Sequence, residues 1–84
     1  MSEVLSKNQY NKNGYRHGYW ELYYSNGNLD SKGNYNNGLK HDYWKKYWSN
    51  GNLWSKGIYS NDKLLGYWEY YWSDGKKLIE IFFL

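Results

Sequence analysis

Aromatic and polar residues alternate along the chain in short runs, and polar turns separate the runs. Tyr and Trp dominate the runs, as in YWELYYS, YWKKYWS and YWEYYWS, and each of these leads directly into Asn-Gly or Asp-Gly. Alternation with a period of two indicates half-buried β-strands, and Asn-Gly or Asp-Gly between two such runs is the strongest local signal for a hairpin. The pattern therefore predicts three hairpins with two-residue turns at 26–27, 50–51 and 74–75.

Extending this pattern over the chain divides it into strands joined alternately by tight turns and longer loops. The predicted strands are 3–10, 18–25, 28–35, 42–49, 52–59, 66–73 and 77–83, and the predicted loops are 11–17, 36–41 and 60–65. No helix is predicted. Antiparallel strands that follow one another in this way form an all-β fold, a single-layer antiparallel β-meander of about seven strands.

The runs belong to a block of about 24 residues that is written three times. The chain is predicted to be a single repeat domain, 1–84, with a half repeat at 3–17, repeats at 18–41, 42–65 and 66–84, and the last strand as a cap. Units of this length bury their apolar side only against neighbouring copies. The predicted architecture is therefore a stack of hairpins.

Pairing across the turns places tryptophans and glycines on one face. With Asn26 and Gly27 as the turn, Trp20 faces Gly33 and Leu22 faces Ser31. The predicted pairs nearest the turn are Tyr24 with Leu29 and Tyr23 with Asp30. The second repeat places Trp44 opposite Gly57 in the same way, which gives the row Trp20, Gly33, Trp44, Gly57 and Trp68. A glycine between two rings leaves room for an indole to lie flat, so the glycines are predicted to be seats for the indoles.

The third repeat has a second lysine after its turn, at Lys76 and Lys77. An extra residue there would move Leu78 to the wrong face, since side chains alternate along a strand. A three-residue turn with a bulge is expected to absorb it. That arrangement would place Trp72 opposite Leu78 and Trp68 opposite Phe82.

Composition narrows the class of protein. The 84 residues carry a net charge of +3, contain no Cys, and are 24% aromatic. Disulfide and zinc-thiolate chemistry are excluded, and no segment reaches the ~20 apolar residues of a membrane span. The N-terminal segment has no apolar run of signal-peptide length, so a cytoplasmic protein is expected, in the host cell cytoplasm if its origin is viral.

Residue types that perform catalysis or bind metals are present without a suitable arrangement. His17 and His41 occupy the same repeat position, so the meander separates them by about two strands, roughly 9.6 Å, too far to share an ion. Glu21 and Glu69 are two repeats apart, and Glu21 faces Lys32, which indicates ion pairing. The serines Ser25, Ser49 and Ser73 flank turns in every repeat. The sequence therefore predicts no enzyme activity, no metal site and no cofactor.

The pattern G-x-W-x-x-Y-Y-x-N-G-x-L followed by K-G-x-Y-x-N-G resembles the MORN repeat, in its variant bacterial and viral form, over almost the whole chain. The match is closest in the first two repeats, and Asp42 stands where the family has Gly. The resemblance implies a single-layer antiparallel meander with a groove, a scaffold role with suggestions of lipid contact, and, for some bacterial members, an antitoxin role. A weaker resemblance links the chain to choline-binding cell-wall repeats, which belong to exported proteins.

Rings on both faces of a thin sheet cannot all be buried, and exposed aromatic area usually marks an interaction site. The expected function is a non-enzymatic protein-binding module that occupies a partner, antitoxin-like or as a viral or phage inhibitor of host defence. The alternatives are binding of a glycan or an acidic lipid headgroup, and, with less support, of single-stranded nucleic acid. The predicted partner-binding residues are Tyr24, Trp44, Lys46, Trp48, Trp68, Tyr70 and Trp72.

The last predicted strand forms a second candidate interface. Its sequence, Ile79-Glu80-Ile81-Phe82-Phe83-Leu84, carries a single charge to discourage edge pairing. Ile79, Ile81, Phe82 and Phe83 are therefore predicted to form an edge interface, either in a homodimer or with a strand of the partner.

Overall fold

The computed structural model describes residues 7–84, and these form one seven-stranded antiparallel sheet. The strands are β1 (Gln9–Tyr10), β2 (Arg16–Tyr23), β3 (Leu29–Asn36), β4 (Leu39–Tyr47), β5 (Leu53–Ser60), β6 (Lys63–Tyr71) and β7 (Lys77–Phe83). They lie in the sheet in chain order. The predicted all-β meander is confirmed. Residues 3–6 of the predicted first strand lie outside the described residues.

The three Asn-Gly and Asp-Gly turns each contain three residues, so the predicted two-residue turns at 26–27 and 50–51 are wrong, and the three-residue turn with a bulge predicted for the third repeat is confirmed. In the first turn the backbone N–H of Tyr24 donates to the carbonyl oxygen of Asn28 at 2.8 Å, and the N–H of Gly27 donates to that of Tyr24 at 2.9 Å. Gly27 has a φ of 91°, which glycine adopts without steric cost. The same two bonds recur at Trp48 and Trp72.

A bulge after each of the first two turns restores the predicted register. Tyr23 pairs with Leu29, so Asp30 is an extra residue in β3, and the predicted pairs Tyr23–Asp30 and Tyr24–Leu29 are wrong. Beyond the bulge Leu22 pairs with Ser31, as predicted. Trp20–Gly33 and Glu21–Lys32 follow in the predicted register.

The third turn does not differ from the first two. Trp68 pairs with Ile81 rather than Phe82, and Tyr71 pairs with Lys77, so the predicted pairings of Trp68 and Trp72 are wrong. The reason is that Lys76 occupies the position of Asn28 and Asn52 in the earlier turns. The repeat therefore contains no insertion.

Two-residue turns replace the predicted loops 36–41 and 60–65. Asn37 and Gly38 have φ values of 51° and 84°, and Asn61 and Asp62 have values of 50° and 69°. Two successive positive φ values are typical of a type I′ turn, whose twist matches that of the flanking strands. The strands on each side consequently continue to the turn, and Asn36 pairs with Leu39.

Alternating indole and phenol rings form the core. Trp20, Trp44 and Trp68 are 5%, 3% and 3% exposed, and Tyr35 and Tyr59 lie between them. The rings meet edge to face, with centroids 6.0, 5.1, 6.3 and 5.0 Å apart along the series. Such pairs contribute about 0.5–1.5 kcal/mol each beyond the area that they bury. The aromatic series therefore packs each repeat onto the next.

The predicted glycine seats are confirmed. A Cβ built on Gly33 would lie 2.2 Å from Cδ2 of Trp44, and one built on Gly57 would lie 2.2 Å from Cδ2 of Trp68. Each indole N–H then donates to the carbonyl oxygen of the residue after the glycine, at 2.9 Å for Trp44 and 3.1 Å for Trp68. The glycine thus serves the tryptophan of the following repeat.

A bulge with two extra residues in β4 makes this close approach feasible. Residues 42–44 lie opposite the single residue Gly33, between the pairs Lys32–Lys45 and Asn34–His41. Asp42, at the first bulge position, has a φ of 69°, where Gly18 and Gly66 of the other repeats have 80° and 72°. The extra length lets the strand bend and bring Trp44 back over the glycine.

The half repeat is represented by β1 and the residues just before it. Tyr10 meets Trp20 edge to face at 5.2 Å, as Tyr35 and Tyr59 meet the tryptophans of the later repeats. Lys7 lies beside Glu21, with Nζ 2.7 Å from Oε1. This part of the chain therefore covers the open side of the first full repeat.

Candidate functional site

The sheet has two unlike faces. The tryptophan face carries Trp20, Trp44 and Trp68, and the tyrosine face carries Tyr19, Tyr43 and Tyr67, since neighbouring side chains point to opposite sides of a strand. Every buried side chain among the described residues belongs to the tryptophan face: Trp20, Ser31, Tyr35, Trp44, Ser55 and Trp68. The tryptophan face is therefore the packed side of the sheet.

This packing corrects the predicted partner-binding role of two residues. Trp44 and Trp68 are each only 3% exposed, because their indoles lie on Gly33 and Gly57. Neither ring offers surface to a protein, a glycan or a nucleic acid base. Tyr70 lies half-buried beside Trp68, with ring centroids 6.2 Å apart.

Tyr24 and Trp48 connect neighbouring repeats. The hydroxyl of Tyr24 donates to the carbonyl oxygen of Tyr47 at 2.6 Å, and the indole N–H of Trp48 donates to that of Tyr71 at 3.2 Å. Trp72, at the equivalent position of the third repeat, is 53% exposed. Of the predicted aromatic anchors, Trp72 alone lies largely in solvent.

Lys46 is held on the tryptophan face by an ion pair. Its Nζ lies 2.8 Å from Oδ1 of Asp30 and 5.2 Å from the ring of Trp54. Trp54 in turn stacks on Trp48 with centroids 4.0 Å apart. Lys46 therefore joins adjacent hairpins.

Two further cations cover the aromatic core at the other end of the tryptophan face. The guanidinium of Arg16 lies 4.7 Å from the ring of Trp20, and Nζ of Lys40 lies 4.9 Å from that of Trp44. Burial lowers the pKa of Lys40. Leu64 takes the equivalent position in the third repeat. These cations contribute cation–π contacts to the fold.

The tyrosine face exposes a contiguous apolar patch, of which the sequence predicts only Phe82 to form an interface, at the edge of the sheet. Its exposed fractions are 49% for Tyr43, 44% for Ile58, 45% for Leu65, 51% for Tyr67 and 66% for Phe82. Ile58 pairs with both Tyr43 and Leu65, and Tyr67 pairs with Phe82. These five residues are called the apolar patch below. All of them except Phe82 line a shallow hollow of about 470 Å³, to which Lys56 and Glu69 also contribute.

Carboxylates on the tyrosine face are tied into hydrogen-bonded clusters. Lys7, and then the hydroxyls of Tyr23 and Tyr19, hold the pKa of Glu21 at about 2. Burial, followed by the bond to Glu21, raises the pKa of Tyr19 to about 12. The predicted ion-pairing role of Glu21 is thus right, but its partner is Lys7 rather than Lys32.

Glu69 forms the matching cluster in the third repeat. Its carboxylate lies 3.1 Å from Nζ of Lys77 and 3.3 Å from Nζ of Lys56, and it accepts a hydrogen bond from Tyr71 at 2.9 Å. Lys77 first, and then Tyr71, hold its pKa at about 2. These carboxylates are fixed as anions by the fold.

Groups that could perform catalysis or bind a metal are dispersed. Nδ1 of His17 accepts the backbone N–H of Asn37 at 3.3 Å, and His41 pairs with Asn34 in the sheet. In the part of the chain that the structure describes, no group of three or more His, Cys, Asp or Glu side chains could hold a metal ion. The carbonyl oxygens of Ser49 and Ser73 accept hydrogen bonds from Asn side chains of the preceding turn.

The outer edge of β7 matches the predicted edge interface in exposure. Ile79, Ile81 and Phe82 are 48%, 38% and 66% exposed, and Phe83 is half-buried. No strand among residues 7–84 pairs with this edge. Phe82 belongs to the apolar patch as well.

Comparison with known proteins supports the repeat assignment. The family described as MORN repeat variant matches residues 16–37, 43–61 and 64–84. No curated protein and no solved structure matches the chain. No helix that could cross a membrane occurs within residues 7–84. MORN repeats are generally associated with modules that bind proteins or membrane lipids. The three matched segments cover most of the chain and coincide with the three hairpins, so the chain belongs to the MORN repeat variant family.

Proposed function

We propose that this chain is a non-enzymatic module that binds a protein partner through the apolar patch of its tyrosine face. The observation that carries the proposal is the exposure of five adjoining apolar side chains, each at least 44% exposed, on the side of the sheet that the core leaves free. Contiguous exposed apolar area of this kind marks interaction sites in soluble proteins. The proposed binding surface is the tyrosine face, whereas the sequence predicts the tryptophan face.

The composition of the patch suits a protein partner. Tyr43 and Tyr67 are amphipathic rings with few rotatable bonds, and tyrosine is enriched at binding hot spots. Lys56 and Glu69 lie at the rim of the hollow and pair with each other at 3.3 Å. An apolar centre with a polar rim is the usual anatomy of a protein interface.

We propose further that binding of this chain inhibits the partner, as an antitoxin or a viral inhibitor of host defence does. The proposed location is the cytoplasm of the cell that contains the chain. A module that covers its partner's surface needs no catalytic group, which agrees with the dispersed side chains described above. Inhibition is tested by adding the chain to the purified partner and measuring the partner's activity. Unchanged activity at saturating concentration would leave binding without inhibition.

The experiment that tests binding is co-purification with three versions of the chain. Wild type and Trp72→Ala should retain the same stoichiometric protein from a native lysate, whereas Leu65→Ser should lose it. Leu65 and Trp72 are both exposed, at 45% and 53%, so neither substitution should alter the fold. Retention by Leu65→Ser together with loss by Trp72→Ala would return the binding surface to the predicted set.

A further inference from the structure

A second hollow on the tyrosine face repeats the geometry of the first but not its charge. It has a volume of about 340 Å³ and is lined by Tyr19, Lys32, Gly33, Asn34, Tyr43 and Lys45. One repeat later, the same positions are Tyr43, Lys56, Gly57, Ile58, Tyr67 and Glu69, which line the apolar hollow. Tyr43 forms a wall of both. The two hollows are therefore copies of one site, adjacent in the sheet.

The first hollow shows where a carboxylate belongs in such a site. Lys56 pairs in register with Glu69, and the carboxylate of Glu69 lies 3.3 Å from Nζ of Lys56. In the second hollow Lys45 replaces that glutamate, so Lys32 lies directly opposite a second lysine. Like charges directly opposite each other in a sheet are destabilising. The second hollow thus keeps the cation of the site and lacks its anion.

The fold supplies no substitute for that anion. Among residues 7–84, no carboxylate oxygen lies within 4.0 Å of Nζ of Lys32 or Lys45. Glu21 pairs in register with Lys32, but its carboxylate is bound by Lys7 and by two tyrosine hydroxyls. Both lysines are half-buried, which limits the solvent available to screen them.

We infer that the hollow between Tyr19 and Tyr43 binds an acidic side chain of the protein partner, whose carboxylate takes the place that Glu69 fills one repeat later. The inference rests on the proposed function for the kind of partner. The two hollows lie one repeat apart, roughly 9.6 Å across two strands. The partner therefore presents an acidic and an apolar side chain about that far apart, as residues seven apart on a helix do, at ~10.5 Å.

The charges around the lysine pair favour a single acidic side chain over a continuous anionic surface. Glu21 lies on one side of the pair. On the other side Lys56 lies opposite Lys45 but is paired with Glu69, and Glu80 follows, all on the tyrosine face. A membrane of acidic lipids would bring negative charge against these carboxylates as well as against the lysines. An isolated Asp or Glu on a protein surface meets the lysines alone.

The test uses capped glutamate, with an acetylated amino group and a methylamide at the carboxyl end, as the probe. Titration of the isotope-labelled chain, followed by NMR, should shift the resonances of Lys32, Asn34 and Lys45 first. Capped glutamine, which lacks the charge, should produce no such shift. The Lys45→Glu variant should bind capped glutamate about tenfold more weakly or worse. Equal shifts with glutamine, or shifts spread over all exposed lysines, would overturn the inference.

Stability of the same variant provides an independent readout. Lys45→Glu recreates the Lys56–Glu69 pair at Lys32, so the unfolding midpoint should rise above that of wild type. Lys63→Glu makes the same change of charge at an exposed position outside the hollow and should leave both the midpoint and probe binding unchanged. A lower unfolding midpoint for Lys45→Glu would contradict the inference that Lys32 and Lys45 lack a neighbouring anion.

Vesicles of phosphatidylcholine with phosphatidylserine test the competing class of ligand. Vesicle binding that is lost in Lys45→Glu, with no response to capped glutamate, would assign the hollow to a lipid headgroup and overturn the inference. The probe experiment needs no partner, so its failure is distinguishable from failure of the proposed function. Capture that depends on Leu65 but not on Lys45 would preserve the function and reject the acidic contact.

Discussion

At the scale of the residue, packing of one repeat on the next depends on glycines that leave room for an indole. Gly33 and Gly57 each lie beneath the tryptophan of the following repeat, and any side chain would occupy the space of the ring. Ile81 takes the same repeat position in β7, where the described chain places no further indole. Among residues 7–84, glycine therefore occupies this repeat position where an indole lies over it.

Replacing either glycine by valine should destabilise the fold strongly. The Cβ would lie 2.2 Å from a carbon of the indole, and overpacking of a core typically costs about 1–3 kcal/mol, with larger values where the ring cannot move. Thermal unfolding of Gly33→Val and Gly57→Val measures the effect, with Ile81→Val as the control at the equivalent position. Midpoints of the glycine variants close to that of wild type would contradict the role of the seats.

A second residue-scale prediction concerns Asp42. Its φ of 69° is costly for a residue with a side chain, and the equivalent residues Gly18 and Gly66 avoid that cost. Asp42→Gly relieves the backbone strain but loses more conformational entropy on folding. The net result should be a fold that is more stable by ~0.5–1 kcal/mol. Asp42→Ala keeps the strain and should destabilise it. Chemical denaturation of the two variants checks the sign, and a loss of stability in Asp42→Gly would show that the aspartate side chain matters more than the backbone.

At the scale of the element, the exposed edge of β7 is the least protected part of the sheet. Its side chains alternate between the two faces, with Ile79, Ile81 and Phe83 on the tryptophan face and Glu80 and Phe82 on the tyrosine face. An apolar edge with open backbone groups favours addition of another strand. The first edge is blunted instead, because the side chain of Asn8 exchanges hydrogen bonds with the backbone of Glu21.

We expect a homodimer in which β7 pairs with its symmetry mate. Light scattering should show a dimer for the intact chain and a monomer for Ile81→Lys combined with Phe83→Lys, because charges on this strand oppose pairing. Gln9→Lys at the opposite edge is the matched control and should remain dimeric. A monomer at every concentration for the intact chain would leave this edge without a role in self-association.

The carboxylate clusters on β2 and β6 give the sheet a predictable response to acid. The pKa values of Glu21 and Glu69 are lowered from 4.5 to about 2, so their contribution to stability is complete above 4.5 and is lost as the pH falls towards 2. Both side chains are partly exposed, so solvent screening reduces the effect. The unfolding midpoint of wild type should therefore fall between pH 4.5 and 2 more steeply than that of Glu21→Gln combined with Glu69→Gln. Parallel curves would show that the two carboxyl groups have the same pKa values in the folded and unfolded states.

At the scale of the whole molecule, the sequence predicted the sheet and the contacts between glycine and indole, but not which face carries the core. Alternation with a period of two groups Trp20, Trp44 and Trp68 on one face, and the spacing of the glycines shows how they pack. Alternation does not say which face carries the core of a single-layer sheet. Trp44 and Trp68 were therefore expected in solvent although they are buried, and the exposure of Ile58 and Leu65 was missed. The pairing of Ile58 with Tyr43 on one side and with Leu65 on the other was the available signal.

The lengths of the first two hairpin turns, and of the turns at 37–38 and 61–62, escaped prediction for a different reason. Asn26-Gly27 reads as a two-residue turn, but the bulge at Asp30 adds a residue without changing the register farther along the strand. The reverse occurred at 36–41 and 60–65, where Asn37-Gly38 and Asn61-Asp62 form the tight turns. Local turn signals fix where the chain reverses more reliably than how many residues it uses.

Binding of the partner to the tyrosine face is tested most directly by the affinity of the purified partner for two single-residue variants. Isothermal titration calorimetry should show a loss of ~2 kcal/mol or more for Tyr67→Ala, about thirtyfold in Kd, as for an aromatic anchor at a hot spot. Trp72→Ala, which removes an equally exposed ring outside the apolar patch, should bind like wild type. Unchanged affinity for Tyr67→Ala together with a comparable loss for Trp72→Ala would contradict the claim.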